Sequence, residues 1–276
     1  MNPKATDKVL MGIAKAADSF HKVVEGDYQK DGLWYCGKCN TAKQTETFIA
    51  GLSIKPMCRC KCAGERLDAE ERAKQIEINR EICFDDPADM ECTFALDDGT
   101  NEVTRICRAY AEKFPEMLEK NKGLVLFGET GVGKTFAANA LANELIDNGY
   151  KVRSTSIKAM AEELKDFNVD RARVLRSFNR FDLLILDDWG TERGTEWMSE
   201  IVQEIVDSRY KSKKPFVLTT NIGAQEMKSP ADLKMKRLVS RLYERCVFIE
   251  VKGKDRRRAA LIKDDEEMKK LLGIKK

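Results

Sequence analysis

Residues 128–135 read Gly128-Glu129-Thr130-Gly131-Val132-Gly133-Lys134-Thr135 and fit the pattern G-x-x-x-x-G-K-[ST]. Glycines at this spacing let the backbone curl so that successive N–H groups face phosphate oxygens. A following helix adds the partial positive charge of its N-terminus. Lys134 is placed to reach the β- and γ-phosphates, Thr135 to ligate Mg²⁺, and the contact surface extends through Phe136. Further along, Leu183-Leu-Ile-Leu-Asp187-Asp188 is an apolar run ending in two carboxylates. Asp187 is the expected Mg²⁺ partner, directly or through water, and Asp188 the group that orients an attacking water. Asn221 follows the apolar segment Phe216–Thr220, where its amide could meet a γ-phosphate or that water. Arg237, Arg241 and Arg245 recur every four residues, on one face of a helix. That face is either a solvated basic stripe or an arginine finger offered to a neighbouring subunit's phosphate.

A second chemistry lies upstream. Cys36-x-x-Cys39 is followed by Cys58-x-Cys60-x-Cys62. Two thiolate clusters in a long chain suit a structural Zn²⁺ with four ligands, chosen from five candidates. The spacing favours Cys36, Cys39, Cys58 and Cys62, with Cys60 as substitute; Gly37 permits the tight turn. Lys30, Lys38, Lys43, Lys55, Arg59, Lys61 and Arg66 surround this module, with Trp34 and Tyr35. Cations with aromatics suit single-stranded DNA, and a brace for a protein-binding surface fits equally well. Cys83, Cys92, Cys107 and Cys246 stand alone and read as small core residues, as His21 reads as packing.

These groups need elements to hold them. The pattern predicts strands at Gly123–Phe127, Lys151–Ile157, Asp182–Asp187, Pro215–Thr220 and Cys246–Val251. Helices are expected at Arg105–Phe114, Lys134–Asn148, Lys158–Phe167, Arg171–Phe178, Thr195–Tyr210, Leu233–Tyr243 and Asp255–Leu272. Alternation of this kind implies an α/β fold with a mostly parallel five-stranded sheet. One strand separates the two motif strands in sequence, and Asn221 ends the next, the sensor position of the additional-strand class of nucleotidases. Upstream, residues 1–24 read as a helix, 31–62 as short β pieces, and 63–82 as a charged, solvated connecting helix broken at Asp85-Asp86-Pro87. The implied organisation is an N-terminal region 1–75 with the zinc module at about 31–64, a linker 76–100, and an ATPase domain 101–276.

Charge and composition exclude other classes. The chain has 49 Lys+Arg against 46 Asp+Glu, a net of +3, which argues against a polybasic coat protein or an acidic tail. A hydrophobic content of 42% supports a real core. The apolar run Val9–Ala14, broken by Lys15, is too short for a signal peptide, and no segment approaches the ~18 apolar residues of a membrane span, so a cytoplasmic protein is expected. The near-neutral total conceals a strip from Lys228 to Lys263 with 12 Lys/Arg and 4 Asp/Glu. It suits phosphate neutralisation, of ATP or of a DNA strand.

The order and spacing of these motifs resemble the AAA+ ATPases, and within them the DnaC/DnaI-type replicative helicase loaders, over residues ~90–258. The resemblance rests on Gly123–Thr135, Ala142–Ile146 leading to Gly149, Leu183–Gly190, Leu218–Asn221 and Arg237–Arg241. It implies an ATP/ADP- and Mg²⁺-using core in which Lys134, Thr135, Asp187, Asp188 and Asn221 act as above. Arg237 would be the finger, Arg241 its companion, and Arg256, Arg257 or Arg258 a second sensor. The partners it implies are a replicative helicase hexamer, bound through the N-terminal region, single-stranded DNA, and further copies of the chain through the arginine-finger interface. Two departures stand out. Asp188 occupies a place where most AAA+ proteins carry Glu, which implies slow turnover. Only 25 residues follow Val251, too few for a C-terminal helical lid domain, as in the loader clade. An IstB-type transposition ATPase shares the core, a nucleotide-gated DNA-binding protein with an idle site remains open, and a small-molecule P-loop kinase lacks a basic lid between 150 and 180.

Overall fold

The computed structural model describes residues 23–49, 52–164, 170–190, 196–230, 233–253, 255–256 and 268–272. The helix expected at 1–24, but for its last two residues, His21, the end of the helix expected to Phe167, Thr195, Arg257, Arg258 and most of the expected closing helix lie outside the described residues. The chain divides into two compact units, Met1–Lys74 and Gln75–Lys276.

The first unit is built from two small antiparallel hairpins. Strands β1 (Tyr28–Lys30) and β2 (Leu33–Tyr35) pair with Gln29 opposite Trp34, and β3 (Thr47–Ile49) and β4 (Leu52–Ile54) pair with Phe48 opposite Ser53. Isolated bridges Tyr35–Ala42 and Gln44–Met57 extend the pairing. A short, polar sequence of this kind buries little apolar surface: among the described residues of this unit the buried side chains are Cys36, Lys43 and Cys60. Lys43 pairs with Asp27 at 2.5 Å, and Asp27 also accepts N–H groups from Val24 and Gly37. Those three donors, led by Lys43, hold the Asp27 carboxyl below the usual carboxylate range. Helix α1 (Lys61–Cys83) is charged along its length and buries only Asn79 and Cys83, the solvated helix its composition predicts.

The second unit is a three-layer α/β sandwich. Its sheet has β5 (Gly123–Phe127), β6 (Val152–Ser156), β7 (Leu183–Trp189), β8 (Phe216–Thr220) and β9 (Cys246–Glu250) in the spatial order β6-β7-β8-β5-β9, every pair parallel. Nearly continuous apolar runs in β5, β7 and β8 fit strands covered on both faces. Alternation along β5 divides the core: Leu124 and Leu126 join one cluster, Val125 the other. The first face is packed by α2 (Glu102–Glu112), α3 (Phe114–Glu119) and α4 (Lys134–Asp147), the second by α5 (Ile157–Glu163), α6 (Arg171–Ser177), α7 (Glu196–Ser212), α8 (Ala224–Lys228) and α9 (Leu233–Arg245). Helix α4 buries ten of its residues. It ends where Gly149 and Tyr150 N–H groups return to Ile146 and Leu145 carbonyls, a Schellman closure.

Three expectations are corrected. The presumed linker 76–100 packs as part of the second unit, because Cys83, Phe84 and Phe94 enter its core. Helix α2 begins at Glu102, not Arg105, because the Asn101 side chain accepts the Val103 N–H as an N-cap. Strand β7 runs past Asp187 to Trp189 through an irregularity described below. Arg209, wholly buried, donates to the carbonyls of Phe178, Phe181, Asp182 and Pro215, tying the segment before β7 to the one before β8.

Candidate nucleotide and metal sites

Parallel strands leave their C-terminal ends at one edge of the sheet, and the predicted phosphate chemistry gathers there. Between β5 and α4 the loop closes at Gly133, whose φ of 95° is open to glycine at little cost. No side chain caps the helix at that point, so its first N–H groups face the loop, an arrangement suited to an anion. Lys134 is buried, and its ammonium donates to Gly128 O at 2.9 Å, Glu129 O at 2.7 Å and Asn221 Oδ1 at 2.7 Å. The strand order explains Asn221: β8 lies between β5 and β7, so the residue after it arrives between loop and acidic pair.

Thr135 donates to Asp187 at 3.0 and 3.1 Å, leaving its oxygen lone pairs for a cation. The register of β7 on β8 shifts between Leu186 and Trp189, so Asp187 and Asp188 together oppose one residue, Thr219. This is a β-bulge, and Asp188 sits in it with φ of 63°, left-handed for a non-glycine residue. The bulge separates the carboxylates: Asp187 is half-buried against Thr135, and Asp188 is exposed at the cavity. Thr219 donates to Asp187 Oδ1 at 2.5 Å and accepts the Asp188 N–H at 3.0 Å. Neither Thr219 nor Thr220 is singled out by the sequence, since only strand register brings them to the acidic pair.

A cavity of ≈ 440 Å³ is lined by Thr130, Gly131, Gly133, Lys134, Thr135, Phe136, Asp188 and Asn221, closed by Leu96, Asn101 and Arg256. Of the three second-sensor candidates, Arg256 is thus placed at the cavity. Its N–H donates to Gly131 O, and its guanidinium to Asp98 and Thr100. Hydrogen bonds from the Thr100 hydroxyl and N–H, with Arg256 alongside, pull the Asp98 carboxyl down to about 2. Arg237 is exposed on α9, away from this cavity, and makes no ion pair among the described residues. Arg241 pairs with Asp207, and Arg245 lies over the Tyr210 ring at 4.3 Å. In the basic strip Lys234 also pairs with Glu200 and Lys252 with Glu250, which partly neutralises it.

In the first unit Cys36, Cys39, Cys60 and Cys62 bring their sulfurs within 4.8 Å of one another. Cys36 and Cys60 each lie 3.6 Å from Cys62. A tetrahedral Zn²⁺ with bonds of about 2.3 Å has sulfur edges of roughly 3.8 Å, so the donor set and spacing fit that ion. Cys60 therefore takes the place that spacing assigned to Cys58. Cys58 is held in extended pairing by its N–H on Lys43 O, and its thiol turns to Ala42 O at 3.6 Å. The chain then bends into α1, which points Cys60 and Cys62 at the knuckle. N–H groups of Cys39 and Lys38 lower the Cys36 thiol; the Thr41 hydroxyl and the Cys62 N–H bring Cys39 down to about 5. Hydrogen bonds among the sulfurs, from Cys60 first, push Cys62 up to about 12. Four crowded sulfurs do not all ionise without a cation. Gly37 contributes by close approach, since a Cβ there would meet Gly26 O at 1.9 Å.

A family model described as IstB-like ATP binding protein matches residues 96–263. The replicative helicase loader DnaI of Bacillus subtilis is 30% identical over 167 residues, which cover 56% of this chain and 52% of that protein. The replicative helicase loader DnaC of Escherichia coli is 25% identical over 169 residues, 58% of this chain and 68% of that one. Among solved structures, that of the DnaC helicase loader superposes with a TM-score of 0.52 at 26% identity, over 60% of this chain and 100% of that one. The chain thus spans about half the length of the first of these curated relatives.

Proposed function

Because the chain belongs to the IstB-like ATP-binding protein family, we propose that it is an ATP-dependent loader of a replicative helicase onto single-stranded DNA. The observation that carries this reading is the convergence of Lys134, Thr135, Asp188 and Asn221 on one cavity, with Asp187 hydrogen-bonded to Thr135 at its wall, in a chain whose relatives are named replicative helicase loaders. In it, the phosphate loop and the open N-terminus of α4 bind the triphosphate. Lys134 exchanges its carbonyl and amide partners for phosphate oxygens. Thr135 and Asp187 would hold Mg²⁺, which supplies positive charge to the β- and γ-phosphates. Asp188 orients the attacking water and accepts its proton, and Asn221 reports the γ-phosphate to Lys134 and to the sheet.

Two features support slow hydrolysis in the isolated chain. Asp188 is one methylene shorter than Glu, and it is exposed rather than walled in. Arg237 is exposed and does not line its own cavity, as expected of a group that completes a neighbouring copy's site. The Cys36/Cys39/Cys60/Cys62 knuckle would hold structural Zn²⁺ and brace a helicase-binding N-terminal region of residues 1–75. The 228–263 strip would contact the DNA backbone, and DNA affinity would then fall with added salt.

The test is co-purification with the replicative helicase of the host, with ATP and with ADP. Recovery that differs between the nucleotides supports a switched loader; no recovery in either state sinks it. The family description favours one second reading, a transposition-associated ATPase of the IstB type, for which a transposase would be recovered in the helicase's place.

A further inference from the structure

Thr219 and Thr220 are two consecutive hydroxyl residues in the middle of the sheet, and both are buried, at 1% and 0% exposure. A buried hydroxyl needs partners, and each finds two: Thr219 both within the β7 bulge, Thr220 one just past the bulge and one two residues on in its own chain. Thr219 donates to Asp187 Oδ1 at 2.5 Å and accepts the Asp188 N–H at 3.0 Å. Thr220 donates to Trp189 O at 2.6 Å and accepts the Ile222 N–H at 3.0 Å. The next residue, Asn221, accepts from Lys134. Three successive side chains at and just after the end of β8 thus reach the acidic carboxylate, the backbone beside the bulge and the phosphate-loop lysine.

We infer that Thr219 is a positioning residue for the metal and water chemistry of this site. Its hydroxyl fixes the Asp187 carboxylate and holds Asp188 in its left-handed conformation. The inference rests on the ATP reading above. The physical case is specific. Asp187 accepts from two hydroxyls, Thr135 on the helix side and Thr219 on the sheet side. With both in place the carboxylate has one orientation relative to Thr135. Asp188 is strained at φ 63° where the register of β7 on β8 shifts, and its N–H donates to Thr219 Oγ there. Removing that hydroxyl takes away the sheet-side anchor of the carboxylate and a partner of the strained Asp188 N–H, without touching the phosphate loop.

Thr219→Val keeps the shape and the β-branch and removes the hydroxyl; Thr219→Ser keeps the hydroxyl and removes the methyl. A packing role predicts that Val is the milder change, and a positioning role predicts the reverse. ATP binding is measured by calorimetry with Mg²⁺ and with EDTA, alongside the Mg²⁺ concentration for half-maximal hydrolysis and kcat. For Thr219→Val we expect EDTA affinity within about twofold of the parent. The Mg²⁺-dependent gain in affinity and kcat should each fall about tenfold, as for other groups that orient a metal ligand. Thr219→Ser should lie within about threefold of the parent on all readouts. If Val matches the parent, or Ser is as impaired as Val, the inference is overturned. Should the valine chain not fold, Thr219→Ser decides alone: Mg²⁺ half-saturation within about threefold supports the role, and a tenfold rise overturns it. If the parent chain itself binds no ATP, the nucleotide reading fails first and separately.

Discussion

The two sites are built in opposite ways. The nucleotide site stands on a five-stranded sheet whose β5, β7 and β8 positions are almost wholly buried. Its loop, lysine, threonines and acids are already joined by hydrogen bonds, so the ligand enters a site the core has finished. The cysteine knuckle stands on two three-residue hairpins and a handful of buried side chains. Its described residues bury few side chains, and four sulfurs within 4.8 Å repel as thiolates. There the metal would complete the fold, and its binding energy would be folding energy. Loss of ligand should therefore have unequal consequences: an empty but folded ATPase, and an unfolded knuckle.

The largest effect should come from the metal. Chelation, or Cys60→Ser, should abolish dispersed NMR signals from residues 27–60 and release one equivalent of Zn²⁺, while ATP affinity of the intact chain changes less than about twofold. Binding of about 10 kcal/mol or more is at stake in such sites. An intact knuckle after chelation would erase the contrast between the sites. Next in size is Lys134→Ala, which should weaken ATP binding at least about a hundredfold by removing a charged phosphate donor, with little change in the melting temperature of the nucleotide-free chain. Asp188→Asn should lower turnover at least about tenfold with ATP affinity retained, measured by steady-state phosphate release. Arg237→Ala should lower turnover only at concentrations where copies associate, so the test is the dependence of kcat on protein concentration. Smallest of all, Cys58→Ser should leave the Zn²⁺ content at the parent value by mass spectrometry. A fall there would return Cys58 to the ligand set.

The sequence carried most of the nucleotide site because its groups are local. Gly128 to Thr135 lie on one turn, and the apolar runs before Asp187 and Asn221 name their strands without ambiguity. It could not carry Thr219 and Thr220, whose roles depend on how β7 registers on β8. The bulge at Asp187–Asp188 was hidden for the same reason, and so β7 was expected two residues too short. Ligand choice at the knuckle failed on a local bend. Spacing treats Cys58, Cys60 and Cys62 alike, but the turn from the Lys43 pairing into α1 carries Cys58 away. The 76–100 segment, highly charged at Asp85, Asp86 and Asp89, concealed the few apolar side chains, Cys83, Phe84 and Phe94, that bind it to the core.

The central claim, nucleotide-switched delivery of a helicase, is tested most directly by counting helicase rings deposited on covalently closed circular single-stranded DNA. Parent and Lys134→Ala chains would be compared with ATP and with ADP. The account predicts deposition by the parent chain that depends on ATP and is lost in Lys134→Ala. Equal deposition in all four conditions, or none in any, would contradict it.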